Sequence, residues 1–209
     1  MRASISLLLL LLAAGCAGVG QGPAPAERSA ERHGLPLLAL CAPEQAGKWA
    51  ESRYTALRLR AAGCYARLAE ASANATSSLA WAKSGQELAI QTAQEVPVNA
   101  TAHYLAAYLT GLVAEREPMR GLSLVPVIQE QAQASAELDP SIDQAGPYRI
   151  LGELLLQAPG FPVSIGDPFA AVEFFQKAVR LAPDNVDNRL GLAASLLETG
   201  RENEACLAL

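Results

Sequence analysis

Apolar residues along this chain recur at every third and fourth position, the period of a helix with one buried face. The clearest stripes lie near the C-terminal end. Leu190, Leu192, Leu196 and Leu197 form one, closed by Gly200, and Phe174 or Phe175, Ala178 and Leu181 form the one before it. Asp167 is placed to cap a helix whose first residue is Pro168, because its carboxylate can accept orphan amide hydrogens and proline has none to lose. Pro183-Asp184 ends that helix and begins the next. Upstream, Arg120 to Leu138 carries Leu124, Ile128, Ala132, Ser135 and Leu138. Asn99 to Glu115 carries Tyr104, Ala107, Tyr108, Gly111 and Leu112 on one side, with Pro118 in the connection. Gly47 to Ala73 and Ser78 to Val96 read as two further Ala-rich helical segments, whose register the pattern does not set.

The two C-terminal stripes can be laid on one another. Gly166 maps to Gly200, Ala171 to Ala205 and Phe175 to Leu209, each at an offset of thirty-four residues. That is the tetratricopeptide period, and Ala171, Phe175, Ala178 and Pro183 follow the order of the second helix of that repeat. The expected fold is all-α, a right-handed α-solenoid of tetratricopeptide-like helix pairs. Its clearest repeats are 146–183 and 184–209, the last incomplete. Tyr148, Leu151, Gly152 and Leu155 occupy the first-helix positions of the repeat completed by Gly166 to Pro183, with seven residues inserted in the turn between Gln157 and Ile165. Prolines and a glycine around Phe161 exclude helix there. The inserted loop either presents Phe161 on a binding face or folds Phe161 and Ile165 back as a plug. The apolar ending at Ala205, Cys206, Leu207 and Leu209 is expected to dock on preceding helices or to be covered by another copy.

The N-terminus has a different pattern. Arg2, the run Leu7 to Leu12 and Ala13-Ala14-Gly15-Cys16 make a charged start, an apolar stretch too short to span a bilayer, and a small-residue cleavage site. A cysteine directly after Leu-Ala-Ala-Gly resembles the bacterial lipobox, so Cys16 is the expected lipidation site. Residues 1–15 read as a lipoprotein signal peptide and 16–35 as a lipid-anchored flexible tether, with the helical repeat domain over 36–209. Ala17 replaces the aspartate associated with inner-membrane retention. The expected place is therefore the bacterial cell envelope, on the outer membrane facing the periplasm.

Composition then removes alternatives. Sixteen Lys and Arg against twenty-one Asp and Glu, with no basic cluster, argue against nucleic acid. After Cys16 the cysteines are Cys41, Cys64 and Cys206, with no Cys-x-x-Cys pair. In an oxidising compartment Cys41 and Cys64 can pair and staple the first helical segment; buried thiols acting as small hydrophobes are the other reading. His33 and His103 stand in no metal-ligand spacing, no phosphate-binding glycine motif follows a strand, and no enzyme, cofactor or metal is expected. Asn74-Ala75-Thr76 and Asn99-Ala100-Thr101 match the glycosylation sequon but read as loop and cap residues, and Asp184, Asp187, Glu198, Glu202 and Glu204 as solvated outer faces.

The segments Ala102-His103-Tyr104, Arg120-Gly121-Leu122, Glu137-Leu138-Asp139-Pro140-Ser141, Gly146-Pro147-Tyr148-Arg149, Ala158-Pro159-Gly160-Phe161-Pro162 and Ile165-Gly166-Asp167 resemble the TatT family over roughly residues 100–209. These are lipoproteins described as the T component of TRAP transporters, which import organic acids with a separate periplasmic binding protein. The resemblance implies a helical repeat lipoprotein that associates with itself and with a substrate-binding protein, and that can shelter a hydrophobic ligand. Two binding functions follow. A protein-binding module in the envelope, accessory to TRAP-type transport, would present Tyr104, Tyr108, Tyr148, Arg149 and Phe161 to a protein partner. The alternative is a carrier of a small hydrophobic ligand, which needs an enclosed apolar pocket, expected near Phe161.

Overall fold

The computed structural model describes residues 41–209, within which the chain is all-helical and contains no strand. Cys16, the signal segment and the tether lie outside the described residues. Nine helices are present among them: α1 Pro43–Ala50, α2 Thr55–Ala71, α3 Ala75–Glu95, α4 Ala100–Arg116, α5 Pro118–Leu138, α6 Ile142–Gln157, α7 Pro168–Leu181, α8 Val186–Glu198 and α9 Glu202–Leu207. Each packs chiefly on its neighbours in sequence, and α2 with α4, α4 with α6 and α6 with α8 also touch.

Side-chain caps set the helix starts. Asn74, Asn99 and Asn185 accept hydrogen bonds from the backbone N–H of Ser77, Ala102 and Asn188, each satisfying an orphan donor of the first turn. Both sequon asparagines are therefore caps, and the start expected at Asp184 falls one residue later. Asp167 accepts from Phe169 and Ala170 ahead of Pro168, as its position predicts. The single segment expected from Gly47 to Ala73 is broken at residues 51–54, where Ser52 Oγ accepts from the Tyr54 N–H and holds a local turn instead of a helical one.

Cys41 and Cys64 are joined as a disulfide, with Cα atoms 5.9 Å apart. The bond fastens the start of the described chain to a fully buried position of α2. It closes a loop of 23 residues, for which the lost chain entropy of the unfolded state is worth about 3 kcal/mol. The double variant Cys41→Ala, Cys64→Ala is expected to lose about that much stability, read as a lowered urea midpoint with an unchanged slope. A midpoint equal to that of the parent would show that the bond is dispensable.

The core runs along α4. Tyr104, Leu105, Ala106, Ala107, Leu109, Leu112 and Val113 are all buried, so this helix has no solvated face and the single side expected for it is too narrow. The cause is its position, with α2, α3, α5 and α6 all packed against it. Around α7 the packing is built on one ring. Phe175 is fully buried between Gly152 of α6 and Gly191 of α8, where any added Cβ would collide with it. Ala205 of α9 docks on Val172, Ala193 and Leu196, so part of the apolar ending is covered by preceding helices, while Leu207 remains exposed. Leu138 and Leu181, each the last residue of its helix, are also exposed.

Candidate functional site

A cavity of about 310 Å³ opens between α4, α5 and α6. Its walls are Ala107, Gly111 and Ala114 of α4, Gly121, Leu122, Val125 and Ile128 of α5, and Ile150 and Leu154 of α6; Pro118, Ala158 and Pro159 close one end. The room comes from small side chains. On α4 the inward positions are alanine, glycine and alanine at helical spacing, and a Cβ built on Gly111 would meet nothing within 4 Å. A cavity of this size and composition sits at the lower end of small-molecule sites, where apolar walls supply affinity and a few polar groups set orientation.

Those polar groups are Tyr108, Glu115, Glu153 and Gln157. Glu153 is half-buried and lines the cavity, and its carboxyl group makes no hydrogen bond or ion pair with another described residue. Burial raises its pKa to about 7, a rise opposed by the charge of Arg149 and assisted by that of Glu115. The Tyr108 hydroxyl donates to Glu70 Oε1, and burial together with that carboxylate raises its pKa well above the ordinary phenol value.

A second polar cluster lies beside the cavity. The first turn of α6 is left-handed at three consecutive residues, Asp143, Gln144 and Ala145, with φ of 48°, 54° and 67°. Side chains with a Cβ avoid that region, at a cost of about 1–2 kcal/mol each. The turn is held by Arg149, whose guanidinium donates to Asp143 Oδ2 at 2.7 Å, to the Asp143 carbonyl at 3.2 Å and to Asn188 Oδ1 at 2.9 Å. Asn188 donates in turn to the Gln144 carbonyl at 2.9 Å, and the Tyr104 hydroxyl donates to Asp143 Oδ2.

The residues singled out in the sequence thus separate. Tyr104 is 0% exposed and offers a partner no surface; its ring is core and its hydroxyl is used by Asp143. Arg149 is likewise committed to the turn and does not form part of an open face. Tyr148 is half-buried against Phe174, with Lys177 Nζ above its ring at 5.7 Å. Tyr108 alone lines the cavity. Phe161 is 92% exposed, so the inserted loop points it outward and does not plug the repeat. The loop is pinned by Gly166 N–H donating to the Pro159 carbonyl and Asp167 N–H to the Leu155 carbonyl, both at 2.9 Å. The pocket expected near Phe161 lies instead behind Ala158 and Pro159, because the loop turns away just past the cavity's end. His103 faces Gln131 Oε1 and the Pro97 carbonyl through its two ring nitrogens, a packing role between α4 and α5. Glu153, Glu115 and Gly111 carry the site without standing out in the sequence.

Among the described residues no group of histidines, cysteines and carboxylates is arranged to hold a metal ion, and no helix is long and apolar enough to cross a membrane. No protein-family model matches the chain, and no curated protein sequence matches it.

Proposed function

We propose that this chain is a lipid-anchored envelope protein whose tetratricopeptide-like helix pairs hold one small molecule with an apolar body in the cavity between α4, α5 and α6. The observation that carries the reading is the cavity itself: an apolar space left open over Gly111, with few polar groups at its edge. The burial of Tyr104 and Arg149 supports this over a groove for a protein partner, since two of the five residues proposed for that surface are withdrawn from it. Contacts of each helix with the next, and of α2 with α4, α4 with α6 and α6 with α8, are compatible with stacked helix pairs and support the solenoid reading. Lipidation at Cys16, placement on the outer membrane facing the periplasm, and an accessory role in TRAP-type import rest on the lipobox and on the resemblance to the TatT family. A ligand-holding lipoprotein of this kind would act by binding and release, with no bond made or broken.

Gly111→Leu tests the reading directly. Nothing lies within 4 Å of the added Cβ, so the side chain can enter the cavity, and replacing glycine inside a helix favours the fold by about 0.5–1 kcal/mol. The full chain extracted from membranes of its source cell is expected to release a small molecule on organic extraction, and the Gly111→Leu chain is expected to release none. The same extract from both chains, or no small molecule from either, would sink the proposal.

A further inference from the structure

The walls of the cavity carry a consistent sign. Glu115 and Glu153 are the charged groups among the described residues that line it, and no lysine, arginine or histidine joins them. The two nearest guanidiniums are turned to other work. Arg116 does not line the cavity; it lies 3.6 Å from Glu115 Oε2 and donates to Ser78 Oγ at 2.6 Å and to the Leu112 carbonyl at 2.9 Å, while Arg149 serves Asp143 and Asn188, so Glu153 is the carboxylate left to the cavity. Two helix C-termini, those of α4 and α6, close on the end marked by Glu115 and Gln157, against the single N-terminus of α5 at Pro118. Carbonyl ends add negative potential there. The Tyr108 hydroxyl is spent on Glu70, and Tyr108, its ring stacked on Tyr104, also lines the cavity.

An anionic head would meet this wall without a counter-ion, and an uncompensated buried charge is costly. A cationic head meets a carboxylate that no described residue hydrogen-bonds or pairs with, and a tyrosine whose aromatic ring attracts positive charge. We infer that the cavity is specific for a cationic amphiphile, an apolar body carrying one positively charged nitrogen seated against Glu153 and Tyr108. This rests on the ligand-holding reading above and adds the charge class of the ligand, which is opposite to that of the organic acids the family resemblance suggests.

Protonation gives the inference a second handle. Among the described residues, the groups that face Glu153 are Glu115 and Tyr108 of α4, Arg149 of its own helix and Asp187 of α8; the cavity wall from α5 is uncharged. With its carboxyl pKa raised to about 7, Glu153 is mostly neutral at pH 5.5 and mostly charged at pH 8.5, so a cation must displace its proton at the lower pH. The binding of a cation should therefore tighten as pH rises through 7.

The probes are radiolabelled decyltrimethylammonium, whose charge does not titrate, decanoate and decanol. Each is measured by equilibrium retention on the full chain in zwitterionic nanodiscs, with protein-free nanodiscs subtracted and the Gly111→Leu chain as the blocked site. The ammonium is expected to bind more tightly than decanoate at every pH, and roughly tenfold more tightly at pH 8.5 than at pH 5.5, the effect of about one pKa unit of coupling. Glu153→Gln is expected to remove that pH dependence and to weaken the ammonium at pH 8.5 by a similar factor. The variant should remain folded, since it removes a carboxylate whose burial opposes charge. Decanoate binding as well as the ammonium, or an unchanged pH slope in folded Glu153→Gln, would overturn the cationic class while leaving a ligand site in place. No probe held in excess of the Gly111→Leu chain would instead defeat the ligand-holding reading itself.

Discussion

Phe175→Ala is expected to destabilise the domain by about 3–5 kcal/mol, measured by urea denaturation of the full chain. The ring is fully buried and fills the space left by two glycines on different helices, Gly152 and Gly191, neither of which has a side chain with which to close the gap. Truncation therefore removes both the transfer energy of the ring and the chance of local collapse, placing the cost at the upper part of the range for large-to-small changes. A compensating variant sharpens the test. If the ring occupies the volume of the missing side chains, Gly191→Ala alone should also destabilise, because its methyl group would overlap Phe175, and should cost less in the Phe175→Ala background, a coupling that a double-mutant cycle reads. Additive effects would show that the three helices do not share this contact.

Arg149→Met is expected to cost a similar amount, about 3–5 kcal/mol, for an electrostatic reason. The Arg149–Asp143 pair is held at 2.7 Å with side chains 11% and 13% exposed, so removing the guanidinium strands Asp143 in a site with little water. Asp143 is also the first of the three left-handed residues, and Arg149 bonds both its carboxylate and its carbonyl. The loss should be concentrated in α6 and α8, visible as faster amide exchange in residues 142–150 and 186–190 than in α2 and α3. Exchange raised equally in all of these helices would assign the cost to packing instead.

The contrast between these two positions shows what sequence can carry. Phe175, Ala171 and Ala178 were legible because a thirty-four-residue repeat places small residues and a ring where helices cross, and all three are fully buried. Asp167, Asn74 and Asn99 were legible because capping is local: the side chain bonds amides two or three residues away. The charged residues assigned to outer faces, such as Asp184, Glu198 and Glu202, do lie exposed. Asp143, Glu153 and Asn188 were not legible. A polar residue on a helix is ordinarily solvated, and what draws these inward is a network across three helices, Tyr104 of α4 with Asp143 and Arg149 of α6 and Asn188 of α8, or a void that no single segment encodes. The cavity illustrates the limit best. Gly111 sits in a stripe that reads as one packed side of a helix, yet the structure leaves open space over it, because α5 packs far more extensively on α4 than on α6.

The Cys41–Cys64 bond has a mechanical consequence. Tension applied at Cys41 itself does not pass along α1, since the covalent path runs from Cys41 straight into the middle of α2. The short first helix and the non-helical residues 51–54 lie inside the closed loop and cannot be peeled away from that end. The first element to feel such a pull is a buried helix packed on α3 and α4, so the domain would yield as a body and not by fraying at its edge.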